Sequence, residues 1–302
     1  MSYFSNKFGT STIAKAWAEP PQSVSMPVRP FGQTGFSGTL FGLGGEGILR
    51  TYGRFKEAIP VVERAIELGV NYLDTAPAYA NSQDYIGAVF KKDPEKRERV
   101  FLAVKTHERS YDGSMRLLED SLKRLHTNRI DLWQLHDLRT DEDLDEIFSA
   151  RGAIKAMEKA KTDGLIRHKG FTGHHDPLIL KEAAQRYDFD AVLVALNAAD
   201  RHDRSFIEEF LPVAQAQKLA IIGMKVYSHG RMMAESRVTA QEAMHYVLSL
   251  PVSHVIIGCD DVSQVESNAA LAKSFQPFSA EKMAELEGRT AVTHRPLTYY
   301  KK

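Results

Sequence analysis

The sequence predicts an α/β protein folded as a (β/α)8 barrel with an N-terminal β-hairpin. Eight short apolar runs recur, at about 39–43, 70–74, 100–105, 130–136, 166–171, 190–196, 219–226 and 253–257. Each run is close to continuously apolar, the pattern of parallel strands covered on both faces. Amphipathic stretches with helical spacing lie between the runs, and that alternation belongs to barrels and doubly wound sheets. A third observation separates the two. The first strand–turn carries FGLGGEG at 41–47, not a GxGxxG that opens directly into a helix, which counts against the open dinucleotide-binding sheet.

Taken in order, residues 1–26 show no sustained apolar period and read as an N-terminal extension, followed by one barrel domain over 27–302. Residues 27–38 read as a short hairpin with Gly32, Gly35 and Gly38 at its turns. Ile59, Val62 and Ile66 keep helical spacing and Gly69 stops the helix. Met115, Leu118, Leu122 and Leu125 repeat the pattern, as do Ala153, Ala156, Met157 and Ala160 before Gly164. Val262, Val265, Ala269 and Ala272 form the last clear stripe. The acidic stretch 137–150 reads as a solvated connection, with a place on the rim of the barrel mouth as the alternative.

Composition narrows the function. The 302 residues carry 39 basic and 39 acidic side chains, so no global charge favours nucleic acid or an anionic membrane. The longest apolar stretch, AVLVAL at 191–196, is far short of the ~20 residues of a spanning helix. A lone cysteine, Cys259, excludes an intramolecular disulfide framework and clusters held by several thiolates. The N-terminus lacks a basic start followed by an apolar core, so no secretory signal is read and a cytoplasmic location is expected.

Ionisable residues stand at the carboxyl ends of three consecutive strand candidates, where barrel active sites lie. Asp74 ends VNYLD, Lys105 ends VFLAVK and His136 ends IDLWQLH, while Tyr79 follows in DTAPAY. Such groups are costly at the ends of apolar strands unless paired. An ammonium beside a phenol favours the phenolate and lowers the phenol's pKa, and a carboxylate holds that ammonium charged. An imidazole on the next strand can hydrogen-bond a carbonyl oxygen, which completes a proton relay facing a polarised C=O. The set has no electron carrier of its own, so redox chemistry needs a bound cofactor.

These residues carry a resemblance to the aldo-keto reductases, covering about 27–275. The main carriers are RPFGQTGFSGTLFGLG at 29–44, LDTAPAYANSQDYIG at 73–87, AVKTH at 103–107 and DLWQLH at 131–136. GAIKAMEKAKTDGLIRHKGFTGHH at 152–175 and IIGCDDVSQVESN at 256–268 extend it. The resemblance implies that Asp74, Tyr79, Lys105 and His136 fall on the family's catalytic tetrad. Tyr79 would then be the general acid/base, Lys105 held by Asp74 would lower its pKa, and His136 would orient the carbonyl oxygen. Hydride would pass directly between a nicotinamide and an aldehyde or ketone, a sugar-like one among the candidates, with no metal.

The resemblance also implies a cofactor site over the barrel mouth. It places Gly44, Thr172, Asn197, Tyr227, Ser228, Gly258, Asp260, Gln264 and Asn268 there. Thr172 matches a carboxamide-contacting hydroxyl, Tyr227 the aromatic stacked on the nicotinamide, Ser228 the hydroxyl beside it, and Asn268 the adenine-binding asparagine. Gly173 and Leu193 stand where the family places an amide residue and a glutamine. Lys or Arg in the last loop holds a 2′-phosphate in many relatives, whereas Gly258 and Gln264 stand there here with Asp260 and Asp261 between them. Carboxylates repel a phosphate and suit a ribose diol, as in other NAD sites, while a helix N-terminus can hold a phosphate. NADP and NAD both stay open.

Other residues have ordinary expected roles. His174 and His175 are adjacent, and adjacent histidines are expected to point apart, so no metal is expected; His174 is a candidate pocket residue. Lys225 reads as a paired interior lysine, Trp133 as core, Cys259 as packed, and Trp17 and Tyr52 as pocket residues if they reach the mouth. The expected partner is a small-molecule carbonyl or alcohol, with no nucleic acid, no membrane and no inference on oligomeric state. Two further classes stay open: a cofactor-binding regulatory barrel of the potassium channel β-subunit kind, and an aldolase using Lys105 as a Schiff-base nucleophile.

Overall fold

The computed structural model describes residues 25–301. Apart from Ser25 and Met26, the expected extension lies outside the described residues, and so does Trp17. A two-stranded antiparallel hairpin, β1 (Val28–Pro30) and β2 (Ser37–Thr39), comes first. Eight parallel strands then close on themselves: β3 (Phe41–Gly47), β4 (Tyr72–Asp74), β5 (Phe101–Thr106), β6 (Ile130–Leu135), β7 (Ile166–Gly173), β8 (Ala191–Ala195), β9 (Ala220–Met224) and β10 (His254–Cys259). Closure is direct, since β10 pairs with both β9 and β3 and no edge strand is left.

Strands β4, β5, β6 and β8 are buried along their whole length, which explains their unbroken apolar runs. Two apolar clusters result. One fills the barrel and includes Phe31, Tyr72, Phe101, Leu132, Leu193 and Ile256. The other lies between strands and outer helices, where Ala58, Val61, Val62, Ala65 and Ile66 form the buried stripe of Phe55–Glu67. The hairpin closes the base of the barrel: Phe31 packs 5.1 Å from Phe101 and 5.7 Å from Tyr72, centroid to centroid. Gly32 makes this approach with a left-handed φ of 53°, and a Cβ there would meet the Ala220 amide nitrogen at 2.6 Å.

Helix starts follow local chemistry. Ser110, Asp176, Thr239 and Asp261 each accept a backbone N–H as N-caps, and Thr239 forms a full capping box with Glu242. The acidic stretch corrects the sequence reading. Asp141–Phe148 is a helix capped by Thr140, with Leu144 and Ile147 buried, so a short amphipathic stripe outweighs the charge run.

Candidate active site

Asp74, Lys105 and Gln134 meet in the upper layer of the barrel interior, because the register pairs Lys105 with Gln134 and Asp74 with Ala103. The Lys105 ammonium donates to Asp74 Oδ1 in a short ion pair whose side chains are each 1% exposed. It also donates to the Thr75 carbonyl at 3.3 Å, and Gln134 Nε2 reaches Asp74 Oδ2 at 3.4 Å. Burial pulls Lys105 down and pushes Asp74 up, and their mutual attraction opposes both shifts.

Tyr79 stands over this pair. Lys105 Nζ is 4.7 Å from the Tyr79 ring centroid, and the Tyr79 hydroxyl is 3.4 Å from His136 Nε2. Gly45 makes room for the ring: a Cβ there would meet the Asp74 carbonyl at 2.7 Å and Tyr79 Cδ2 at 2.9 Å. The expected lowering of the Tyr79 pKa by Lys105 is set against burial. Burial, followed by the charges of Asp74 and Glu46, pushes the phenol well above its ordinary value. His136 is pushed down to about 2, first by burial and then by Lys105, so the imidazole is neutral. The site thus holds a protonated phenol, a neutral imidazole and a buried ion pair.

A cavity of about 550 Å³ opens at the carboxyl ends of the strands, with Asp74 and Tyr79 in its wall. Of the nine expected cofactor residues, Gly44, Tyr227, Ser228, Gly258, Asp260, Gln264 and Asn268 line it. The Tyr227 hydroxyl donates to Asn268 Oδ1 at 2.7 Å, and Asn268 Nδ2 reaches Cys259 Sγ at 3.4 Å, which fixes the asparagine. Asp261 caps the helix Val262–Lys273, its Oδ1 accepting the Gln264 N–H at 2.9 Å. Thr172 and Asn197 are not in the cavity wall. Thr172 Oγ1 accepts the Asp137 N–H at 2.8 Å, and Asn197 Nδ2 donates to the Tyr300 hydroxyl at 2.9 Å. Ser228 lines the cavity, yet its hydroxyl donates to the Leu297 carbonyl at 2.7 Å. The C-terminal segment therefore lies against the mouth.

Further residues shape the mouth without having been anticipated. Glu46, within FGLGGEG, gathers Arg50 at 3.0 Å, His229 at 3.3 Å and Lys225 at 3.4 Å, and its carboxyl is held far below the usual range despite burial. Lys225 is paired, as its apolar surroundings suggested. Gln134 could have been found from the strand period, since it sits two residues before His136 on β6. Nothing local in the sequence marks Glu46. Trp133 and Cys259 are buried, with Cys259 pushed up to about 12 by burial, whereas Tyr52 is 80% exposed and away from the cavity wall. Lys105 is 1% exposed and paired with Asp74, an arrangement that disfavours imine formation. His174 and His175 do not point apart: their rings lie 4.5 Å centroid to centroid and both turn toward Asp137.

Against known proteins, the model of the aldo/keto reductase family matches residues 40–240. The chain belongs to the aldo/keto reductase family. As a member it is an NAD(P)-dependent oxidoreductase acting on carbonyl compounds. It is similar to an uncharacterized oxidoreductase, YqkF, of Bacillus subtilis, with 24% identity over 81% of this chain and 90% of that one. It is also 24% identical to the L-galactose dehydrogenase of Arabidopsis thaliana, over 86% of this chain and 93% of that one. Its fold matches an aldo/keto reductase of Klebsiella pneumoniae solved with NADP and acetate, at a TM-score of 0.71 and 23% identity over 87% and 95% of the two chains. Among the described residues, no helix of this reductase is long and apolar enough to cross a membrane.

Proposed function

We propose that this aldo-keto reductase interconverts a small aldehyde or ketone and its alcohol, with Tyr79 as proton donor and acceptor and NADH preferred over NADPH. The observation that carries the reading is the placement of Tyr79: a phenol in the cavity wall, with the Lys105–Asp74 pair behind it and His136 Nε2 3.4 Å from its hydroxyl. A cavity of about 550 Å³ lies within the range of ligand pockets, and its wall offers an aromatic ring at Tyr227 and a fixed amide at Asn268. These features fit a nicotinamide dinucleotide.

Bound there, the nicotinamide supplies the hydride that the side chains lack. Tyr79 donates its proton to the oxygen of the carbonyl as negative charge develops on it. Lys105 stabilises the phenolate left behind, and Asp74 keeps the ammonium in place. His136, neutral, holds the substrate oxygen through Nε2. In alcohol oxidation Tyr79 takes the proton back.

Preference for NADH rests on the helix Val262–Lys273. Asp261 Oδ1 occupies the first-turn amide of Gln264, a group that would otherwise donate to a phosphate. Asp260 lies in the cavity wall at the same end, beside Gly258 and Gln264, with no Lys or Arg among those residues. The Arabidopsis relative's name supports hydroxylated, sugar-like carbonyls as the first substrate class to test.

Parallel fluorescence titrations with NADH and NADPH test this at matched ionic strength. NADH should bind at least about tenfold tighter, a difference of about 1.4 kcal/mol. Equal or reversed affinities would remove the NADH preference, and no binding of either at micromolar concentration would remove the function.

A further inference from the structure

Beside the catalytic candidates stands a second polar cluster that the proposed reaction does not use. Asp137 directly follows His136, and β7 delivers His174 and His175 at the same end of the barrel. Asp137 Oδ1 lies 3.2 Å from His174 Nε2 and 3.7 Å from His175 Nε2. The three candidate ligand atoms fall within 4.8 Å of one another.

The groups are held in this pose from outside. Arg139 grips the other carboxylate oxygen, Oδ2, through Nε at 2.8 Å and Nη2 at 2.5 Å. His174 Nδ1 lies 3.5 Å from the Tyr300 carbonyl oxygen, which can only accept. With the ring proton on Nδ1, donated to Tyr300, the lone pair of Nε2 faces Asp137 Oδ1. At 3.2 Å, a proton or a metal cation between Nε2 and Oδ1 holds the two together. Among the described residues, Oδ1 is buried and accepts no hydrogen bond. Asp137 also sits at a φ of 58°, a left-handed conformation that a non-glycine residue adopts at a cost and that gathers at functional sites.

We propose that Asp137, His174 and His175 form a binding site for a divalent ion of the zinc class. Two imidazole nitrogens and one carboxylate oxygen suit Zn²⁺, Co²⁺ or Ni²⁺, whereas Mg²⁺ and Ca²⁺ prefer all-oxygen sites. Ligands about 2.0–2.2 Å from a tetrahedral ion stand about 3.3–3.6 Å apart, close to the 3.2 and 3.7 Å from Asp137 Oδ1 to the two imidazoles. The outer contacts from Arg139 and Tyr300 are the kind that orient metal ligands. Three protein ligands leave a coordination position for water or a substrate oxygen. The ion would sit one residue from His136, on a turn whose two carbonyls, those of His136 and Asp137, accept from Arg109 at 2.9 and 3.0 Å. Metal binding stands on this geometry alone and does not depend on the redox reading.

Co²⁺ is the probe, added to the full-length, tag-free protein after chelator treatment, with visible absorption and equilibrium dialysis as readouts. One Co²⁺ per chain should bind, giving visible ligand-field bands that Zn²⁺ displaces. His174→Ala and Asp137→Asn should abolish the bands. Arg139→Gln, a change at a half-exposed side chain that keeps all three ligands, should weaken Co²⁺ binding about tenfold. Absence of bands in the unmodified protein would overturn the assignment, as would bands and affinity unchanged in both His174→Ala and Arg139→Gln. None of these readouts involves a nicotinamide, so a failed redox assay and a failed metal titration remain distinguishable.

Discussion

At Tyr79, burial and the charges of Asp74, Glu46 and Asp137 hold the proton on the phenol against the pull of Arg50, and burial is the largest of these effects. The phenol is therefore the acid form across neutral pH. His136, already pushed down to about 2, contributes no ionisation between pH 5 and 8. Carbonyl reduction should accordingly show no inflection from His136 near its ordinary value of about 6.5, and should fall only on the alkaline side as Tyr79 deprotonates. A pH profile of kcat/KM checks this, and an acidic limb removed by His136→Gln would refute it. Behind Tyr79, Lys105→Met leaves Asp74 buried without its cation and should cost about 3–5 kcal/mol in denaturant unfolding. Changing both partners, to Met and Asn, should cost less than the two single losses combined. Asp74, Lys105 and His136 were readable in sequence because each ends an apolar run, where an unpaired charge would be prohibitive. Glu46 and the Asp137–His174–His175 cluster were not, because their partners come from other strands and from turns with left-handed residues at Asp137 and Lys225.

Among the elements, the helix Val262–Lys273 carries the cofactor argument. Asp261 is both its N-cap and a negative charge at the end where a 2′-phosphate would approach. Asp261→Ser keeps a capping oxygen, so stability should change by less than the ~1 kcal/mol of a lost cap, while the NADPH:NADH affinity ratio rises. Fluorescence titration of the variant reads that ratio directly. An unchanged ratio would place nucleotide choice elsewhere. Element identities were legible wherever an apolar period persisted, as in Phe55–Glu67 and Tyr111–Arg124. The helix Asp141–Phe148 was hidden because only Leu144 and Ile147 of its residues are buried, too few to stand out against its acidic face. The C-terminal segment was equally opaque. Its placement rests on long-range contacts such as Tyr300 with Asn197 and Lys301 with Asp200, 2.9 and 2.5 Å, which no local pattern announces.

For the whole molecule, the barrel is closed at its base by aromatic packing and open at its mouth to the cavity that Tyr79 lines. His254 sits in that base, stacked 5.3 Å from Phe31 and tilted 4.2 Å from Tyr72, with both ring nitrogens buried and without a hydrogen-bond partner among the described residues. Burial pushes it down to about 3. The unfolded chain takes up the proton near pH 6.5 and the folded one does not, so stability falls as pH drops from about 6.5 toward 3. By pH 5 the loss from this residue is about 2 kcal/mol. His254→Phe removes two unsatisfied polar atoms along with the titration. It should hold its melting temperature at pH 5 better than the unmodified protein, relative to pH 7. The eightfold alternation made the architecture readable because both faces of a parallel strand are covered. Which residues would plug the base was not readable, since Phe31 and His254 meet across 223 positions of chain.

The central claim is that Tyr79 moves the proton while the nicotinamide site stands independently of it. The most direct measurement is a single turnover with prebound NADH and a hydroxylated aldehyde, comparing the unmodified enzyme with Tyr79→Phe. The account predicts unchanged NADH affinity and a rate of NADH oxidation lower by about 10²–10⁴-fold in the variant. An undiminished rate with NADH bound would contradict it.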